Sequence, residues 1–171
     1  WDYIYAGEVP RPGIVDLVED RDLWRFALEG SRELHGWLFL QDKSFEAWSA
    51  ARDALESPAT QEIVWAQAYA IADKVRADVR ALAERAGWSV IGGWEIPTAN
   101  APGFLASELG HELCKGVPFA ATWSEVNGRR HYSLRSETGV GIDVAEIAKM
   151  YGGGGHKHAA GFSITPPALT D

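Results

Sequence analysis

Apolar residues recur along this chain with two periods, and the change from one to the other divides it. Ile14, Val15, Leu17 and Val18 predict a short helix after the Pro- and Gly-rich entry at Pro10 to Gly13, ending near Glu19-Asp20-Arg21-Asp22-Leu23-Trp24. Ser44 is placed to cap a second helix, in which Phe45, Trp48, Ala51 and Leu55 mark one face before Ser57-Pro58 stops it. With Thr60 as the next cap, Val64, Ala68, Ile71, Val75, Val79 and Leu82 form a stripe at alternating three- and four-residue spacing. Carried to Ala86, that helix would span roughly 40 Å at ~1.5 Å per residue. The stripe suits a core or interdomain face, although a coiled-coil seam or partner surface has the same pattern.

From Gly87 the period shortens. Trp88-Ser89-Val90-Ile91 and Trp94-Glu95-Ile96 read as strand around Gly92-Gly93. A helix is expected over Phe104 to Lys115, with Leu105, Leu109 and Leu113 on one face and Gly116 just past its end; His111 lies on it and is assigned no role. Phe119 to Val126 and His131 to Arg135 are joined through Asn127-Gly128, a strong hairpin signal because both residues tolerate positive φ. Along the second strand Tyr132 and Leu134 fall on one face and His131, Ser133 and Arg135 on the other. If the first face is buried, Ser133 offers a hydroxyl and Arg135 a planar donor fork suited to phosphate. The plainer alternative pairs Arg135 with Glu137 on an exposed face.

Asp143 and Glu146 have capping-box spacing, and Val144, Ile147, Ala148 and Tyr151 follow at helical intervals, so a short helix runs into Gly152-Gly153-Gly154-Gly155-His156. Ala160 to Ile164 then reads as a strand. Four consecutive glycines lose much backbone entropy on folding, which points to positions where side chains would obstruct something or φ must be positive. A loop whose amides approach an anion, with His156 at its rim, is one explanation; a helix cap followed by a turn is the other. His156-Lys157-His158 has alternate histidines but no nearby Cys or carboxylate to complete a metal shell.

Composition narrows the classes. The 171 residues are 46% apolar, with eight Trp, which argues for a packed globule of one domain or one and a half. A chain opening on Trp1 is expected to be a processed product or a fragment. It shows neither a charged-then-apolar leader nor a membrane-length apolar run, and its single Cys114 can form no internal disulfide, so the expected place is the cytoplasm. A formal net charge of −8 argues against a broad basic surface for long duplexes but leaves room for a small pocket with a few local donors.

Ser133-Leu134-Arg135-Ser136, Gly141-Ile142-Asp143-Val144 with Ile147-Ala148, and Gly152 to Gly155 with His156 and Ala159-Ala160-Gly161 together resemble the C-terminal domain of the DHH phosphoesterase superfamily. That family includes oligoribonucleases of very short RNAs, RecJ-type exonucleases and cyclic-dinucleotide phosphodiesterases. The stretch from Pro12 through Asp20-Arg21-Asp22-Leu23-Trp24-Arg25-Phe26 to Ser31-Arg32-Glu33-Leu34 resembles the last part of a DHH catalytic domain, in its short-RNA-phosphohydrolase-like branch. The upstream acidic motifs and the Asp-His-His sequence are absent.

The resemblance implies an α/β fold: a mixed sheet with flanking helices, preceded by a connector helix and a partial helical lobe. Residues 1–57 would be the end of the catalytic domain, 58–86 the connector and 87–171 the substrate-binding domain. It also implies a site in which Ser133, Arg135, Ser136, Gly153, Gly154, Gly155 and His156 bind substrate, and in which Asp20, or else Asp22, is one ligand of a manganese pair. An Asp–Arg pair capping a turn is the ordinary alternative for that acidic run. The implied function is the C-terminal part of a manganese-dependent phosphodiesterase of short oligonucleotides or related nucleotides, inactive without the missing N-terminal lobe and free to form homo-oligomers. A non-catalytic nucleic-acid or nucleotide binding module, as in the related domains of alanyl-tRNA synthetases, is the alternative, and a protein interaction domain built on the long helix is a third reading.

Overall fold

Pro12, with φ −62° and ψ 136°, leads into α1 (Gly13–Asp22) in the computed structural model, which describes residues 9–166. A loop then turns the chain into α2 (Ser31–Leu38), a helix the apolar pattern predicts through Leu34, Trp37 and Leu38 but which the sequence reading passes over. The side chain of Ser44 accepts a hydrogen bond from the Ala47 amide, as a cap should, and starts α3 (Phe45–Glu56). Only part of the expected face of α3 is buried: Ala51 is covered, whereas Phe45 is 91% exposed.

The long helix, α4 (Gln61–Ala83), ends three residues short of Ala86 and spans about 35 Å. Thr60 precedes it, but its hydroxyl donates to the Ala54 carbonyl instead of capping α4. The chain divides into two compact units, Trp1–Arg76 and Ala77–Asp171, with the division inside α4. In the first unit, Ile14, Leu34, Trp37, Leu38, Ala51, Val64 and Ala68 form the core, and the Trp37 indole donates to the Gln67 side chain across it.

The second unit is a six-stranded mixed sheet with helices on both faces. Its strands are β1 (Gly87–Ile91), β2 (Trp94–Asn100), β3 (Ala120–Val126), β4 (Arg129–Arg135), β5 (Gly154–His156) and β6 (Ala159–Ile164), arranged in the order β1-β2-β3-β4-β6-β5. The β2–β3 pair is parallel and the others antiparallel. Asn127 and Gly128 both take positive φ, 51° and 71°, in the turn between β3 and β4, as that dipeptide predicts. In place of one helix from Phe104, a 3₁₀ turn over Gly103–Leu105 leads into α5 (Ala106–Leu113).

Asp143 caps α6 (Val144–Lys149) by accepting from the Ala145 amide at 2.9 Å, while Glu146 pairs with Lys149. Val144, Ile147 and Ala148 of this helix pack with Ile96, Phe119, Leu134 and Phe162 on one sheet face. On the other face lies α5: a side chain at Gly110 would stand 2.7 Å from Cγ of Arg135, so glycine there admits the close approach of helix and strand. Strand alternation therefore divides β4 between two helices, with Tyr132 and Leu134 toward α6 and Ser133 and Arg135 toward the α5 face. Among the described residues no helix is long and apolar enough to cross a membrane.

Candidate functional site

The glycine run separates into two devices, only one of which is open. The Gly152 amide donates to Lys149 O at 3.0 Å and the Gly153 amide to Ala148 O at 2.9 Å, with φ +74° at Gly152. Those bonds are the six-to-one and five-to-two pair that closes a helix end, so the amides of Gly152 and Gly153 are spent on α6. The next three residues are the edge strand β5. The expected open loop is thus half helix cap and half sheet edge.

Steric demands within the run differ sharply. A Cβ at Gly153 would fall 2.1 Å from Gly161 O, and one at Gly155, where φ is +146°, would fall 2.6 Å from Ala159 O. At Gly154 a Cβ would meet nothing within 4 Å, and φ is not left-handed. Of the four, Gly154 is the glycine that the fold around it does not require.

Register brings the two halves of the sequence-predicted site together. Arg135 pairs with Ala159, and Ala159 with His156; Ser133 pairs with Gly161, and Gly161 with Gly154. Directly opposed residues of an antiparallel ladder share a face. Arg135 and His156 therefore stand on the same face with β6 between them, about 10 Å apart at their backbones. Ser133 lies one step along, next to a floor that Gly161 and Gly154 leave bare.

The Arg135 guanidinium is held down on this face. Its NH1 group donates to the Leu134 carbonyl at 2.9 Å and its NH2 group to the Ser107 hydroxyl of α5 at 2.8 Å. These two bonds orient the planar fork. His156 is exposed at the outer edge.

Ser136 is placed differently from the other candidates. It is fully buried, its hydroxyl donates to the Ile142 carbonyl at 2.8 Å, and it lies 2.9 Å from Nδ1 of His158. A buried hydroxyl so engaged offers nothing to a ligand. It instead locks the Lys157-His158 turn of the β5–β6 hairpin to the end of β4, with the Ser136 amide reaching His158 O and the Val144 amide reaching Lys157 O. Ser136 thus sets the register of Arg135 and His156.

The same face carries residues that the sequence reading left out. Arg129 has the parity of His131, Ser133 and Arg135, so the strand presents Arg, His, Ser and Arg in alternation. An open groove of about 470 Å³ at the edge of β6 draws on both faces: Arg129, His131 and Ser163 line it together with Tyr132, Phe162 and the Gly152-Gly153 cap, among others. The signal for Arg129 was its even spacing from Arg135. On the opposite face Tyr151, Phe162 and Tyr132 form a stack with centroid spacings of 4.4 and 4.8 Å, which braces the helix cap against β6 and β4.

Asp20, the expected metal ligand, lies in the first unit and has other work. It is buried, and its two oxygens accept from the Ala27 and Leu28 amides at 3.0 and 3.1 Å. A hydrogen bond from the Ser31 side chain, above all, holds its carboxyl below the usual range, with the two amides adding to the effect against the cost of burial. This acceptor stabilises a loop in which Trp24 and Phe26 take φ of 56° and 50°, values that cost bulky residues free energy. The Arg32 guanidinium lies 3.6 Å from the Phe26 ring centroid and reinforces the turn.

The resemblance to DHH phosphoesterases implies a manganese pair, and such a pair needs several oxygen or imidazole ligands in one place. Among the described residues no group of three His, Cys, Asp or Glu side chains could hold a metal ion. Asp22 is exposed and its nearest cation is Arg21, at 3.7 Å. Asp20, with its lone pairs directed at its own loop, does not fit a manganese pair, and the ordinary alternative of a carboxylate capping a turn describes it better.

Comparison with known proteins matches residues 98–171 to the DHHA1 domain. This chain carries a DHHA1 domain. The match spans α5, β4, the helix cap and the β5–β6 hairpin, and bears out the relation to DHH phosphoesterases drawn from the residue pattern. An uncharacterized protein of Acanthamoeba polyphaga mimivirus is 26% identical over 96% of this chain and 40% of its own length. In structure, the chain is similar to the pGpG-specific phosphodiesterase PggH of Vibrio cholerae, with a TM-score of 0.53 at 15% identity over 88% of this chain and 60% of that one. It is also similar to a DHH domain described as a member of the s1p family of ribosomal proteins, with a TM-score of 0.50 at 13% identity over 84% of this chain and 39% of that one. At these identities the structural likeness is one of fold, and the chain spans less than two thirds of each relative.

Proposed function

We propose that this chain is the C-terminal part of a phosphodiesterase acting on short oligonucleotides or related nucleotides, and that its DHHA1 domain binds the phosphate-bearing substrate. In this reading residues 1–57 end a DHH catalytic domain, 58–86 connect, and 87–171 bind substrate. The observation that carries it is the shared register of Arg135 and His156 on Ala159, with the unobstructed Gly154 beside them. A guanidinium fork and an imidazole about 10 Å apart, with only the Ala159 methyl between them and the bare floor of Gly161 and Gly154 beside it, suit an anion lying on this face. The name of the Vibrio protein, a phosphodiesterase specific for pGpG, supports a short linear nucleotide as the class of ligand.

The chain's own part is binding. No second candidate ligand completes a metal set with Asp20 among the described residues, and no chemical step is assigned to them. The second reading is a nucleotide-binding module that catalyses nothing. Titration of this chain with pGpG tests the binding that both readings share, and a manganese-supplemented turnover assay on the full-length parent separates them. Binding that Arg135→Ala weakens, without turnover, supports the role assigned here; failure to bind any phosphorylated nucleotide overturns both.

A further inference from the structure

We infer that β1, the edge of the sheet far from the proposed site, pairs antiparallel with β1 of a second copy of this chain, joining two six-stranded sheets across a two-fold axis at Ser89. Strand order places β1 at one end and β5 at the other, with β2 and β3 between β1 and β4. This surface is therefore separate from the one assigned to a nucleotide.

The two edges differ in how they are protected. β5 has three residues, two of them glycine, and follows directly on the helix cap. β1 has five, Gly-Trp-Ser-Val-Ile, with no charge, proline or bulge among them, the devices that ordinarily keep a sheet edge from pairing. Its inward hydrogen bonds are set by the turn. Gly92 and Gly93 take positive φ, 60° and 83°, in a two-residue turn, so Ile91 and Trp94 exchange bonds, as do Ser89 with Ile96 and Gly87 with Thr98. Pro97, opposite Trp88, has no amide to donate and fits a pair that exchanges none. The amides and carbonyls of Trp88 and Val90 therefore point outward. The hairpin that presents them is anchored, since the Tyr151 hydroxyl accepts from the Gly92 amide at 2.8 Å and the Ser89 and Thr98 hydroxyls lie 3.0 Å apart.

A second copy answers this edge because the edge is symmetric about Ser89. With Ser89 opposite Ser89 of the second copy, Trp88 exchanges bonds with Val90 of the second copy and Val90 with Trp88 of the second copy, which uses every outward group. The side chains match as well. Trp88 is 62% and Val90 71% exposed on the face that α5, packed on β3 and β4, leaves uncovered, and the pairing sets each Trp against a Val. On the other face Ile91 meets Gly87 of the second copy, where a side chain is missing and the space is open. Two copies of formal net charge −8 repel, and the sequence from Gly87 to Trp94 carries no charge, so they meet there at the lowest electrostatic cost. Two short strands with two Trp and two Val side chains cover less than the roughly 1,600 Å² of a standard interface, which makes the dimer a reversible one.

The test is sedimentation equilibrium of the full chain up to the millimolar range, where the parent is expected to show a monomer–dimer equilibrium. Trp88→Thr and Val90→Lys each act twice in a two-fold interface, and each should weaken it about tenfold. Thermal unfolding should be unchanged, because both side chains are exposed and their backbone groups make no bond to β2. Ser89→Cys reports the register: a non-hydrogen-bonded pair brings its two Cα atoms to about 4.5 Å, within disulfide reach, so mild oxidation should trap a covalent dimer while the buried Cys114 stays silent. A parent monomeric throughout, a dimer that neither Trp88→Thr nor Val90→Lys weakens, or no cross-link through Ser89→Cys overturns the inference. Val90→Lys should bind pGpG as the parent does, so failure of the dimer and failure of the nucleotide reading are told apart.

Discussion

Arg135 and His156 are in register with the same residue, Ala159, from opposite sides. That shared partner sets two side chains 21 positions apart in the chain on one face, one strand apart, and gives the proposed site one residue from a hairpin strand and one from the edge strand β5.

Arg135→Ala is expected to weaken binding of a short phosphorylated nucleotide by about one to two orders of magnitude, since charged hydrogen bonds contribute roughly 1.5–3 kcal/mol each. Arg135→Lys should recover little, because the fork that Ser107 and Leu134 orient is lost with the guanidinium. Ser107→Ala should cost less than tenfold through looser positioning. Isothermal titration of the three variants checks the order.

Replacement within the glycine run should separate folding from binding. Gly154→Ala meets open space and should unfold at the parent's temperature, whereas Gly155→Ala must place a Cβ 2.6 Å from the Ala159 carbonyl at φ +146°. The second change should cost on the order of 1–3 kcal/mol of stability. Gly154→Val should fold and bind poorly; if it binds like the parent, the floor at Gly154 carries no ligand.

Asp20→Ala should lower the unfolding temperature by several degrees and leave manganese binding unchanged. Its loss strands the Ala27 and Leu28 amides and releases the strained turn at Trp24 and Phe26. Calorimetry with and without manganese decides between this and a ligand role, which would appear as metal-dependent stabilisation lost in the variant.

Stability should fall as pH drops from about 6.5 toward 4. Burial, and secondarily the Arg21 charge, press His35 down to about 4, with Asp22 opposing, so the unfolded chain takes up its proton first. The contribution is present above the ordinary histidine value and lost as pH falls through the folded one. His35→Gln should flatten the thermal-unfolding profile in this window. Below it, a further loss remains as Asp20 and Glu19, both held below the usual carboxylate range, become protonated.

Much of this molecule is local and therefore legible in the chain. The positive φ values at Asn127-Gly128, the Ser44 and Asp143 caps, and the alternation that separates Leu134 from Arg135 each depend on a few neighbouring residues. By the same local rules, α2 was legible through Leu34, Trp37 and Leu38, and Arg129 through its even spacing from Arg135.

What the tertiary structure decided is everything that depends on which distant segment lies alongside. Strand order places β6 between β4 and β5 and so aligns Arg135 with His156; pairing over long separations is set by packing and loop closure, which no short window of sequence contains. The same packing buried Ser136 against Ile142 and His158, and turned the oxygens of Asp20 onto the amides of its own loop. Residue type made all three polar groups candidates for a ligand. Desolvation required Ser136 and Asp20 to find partners within the chain, and only the folded sheet set Arg135 on the face it shares with His156.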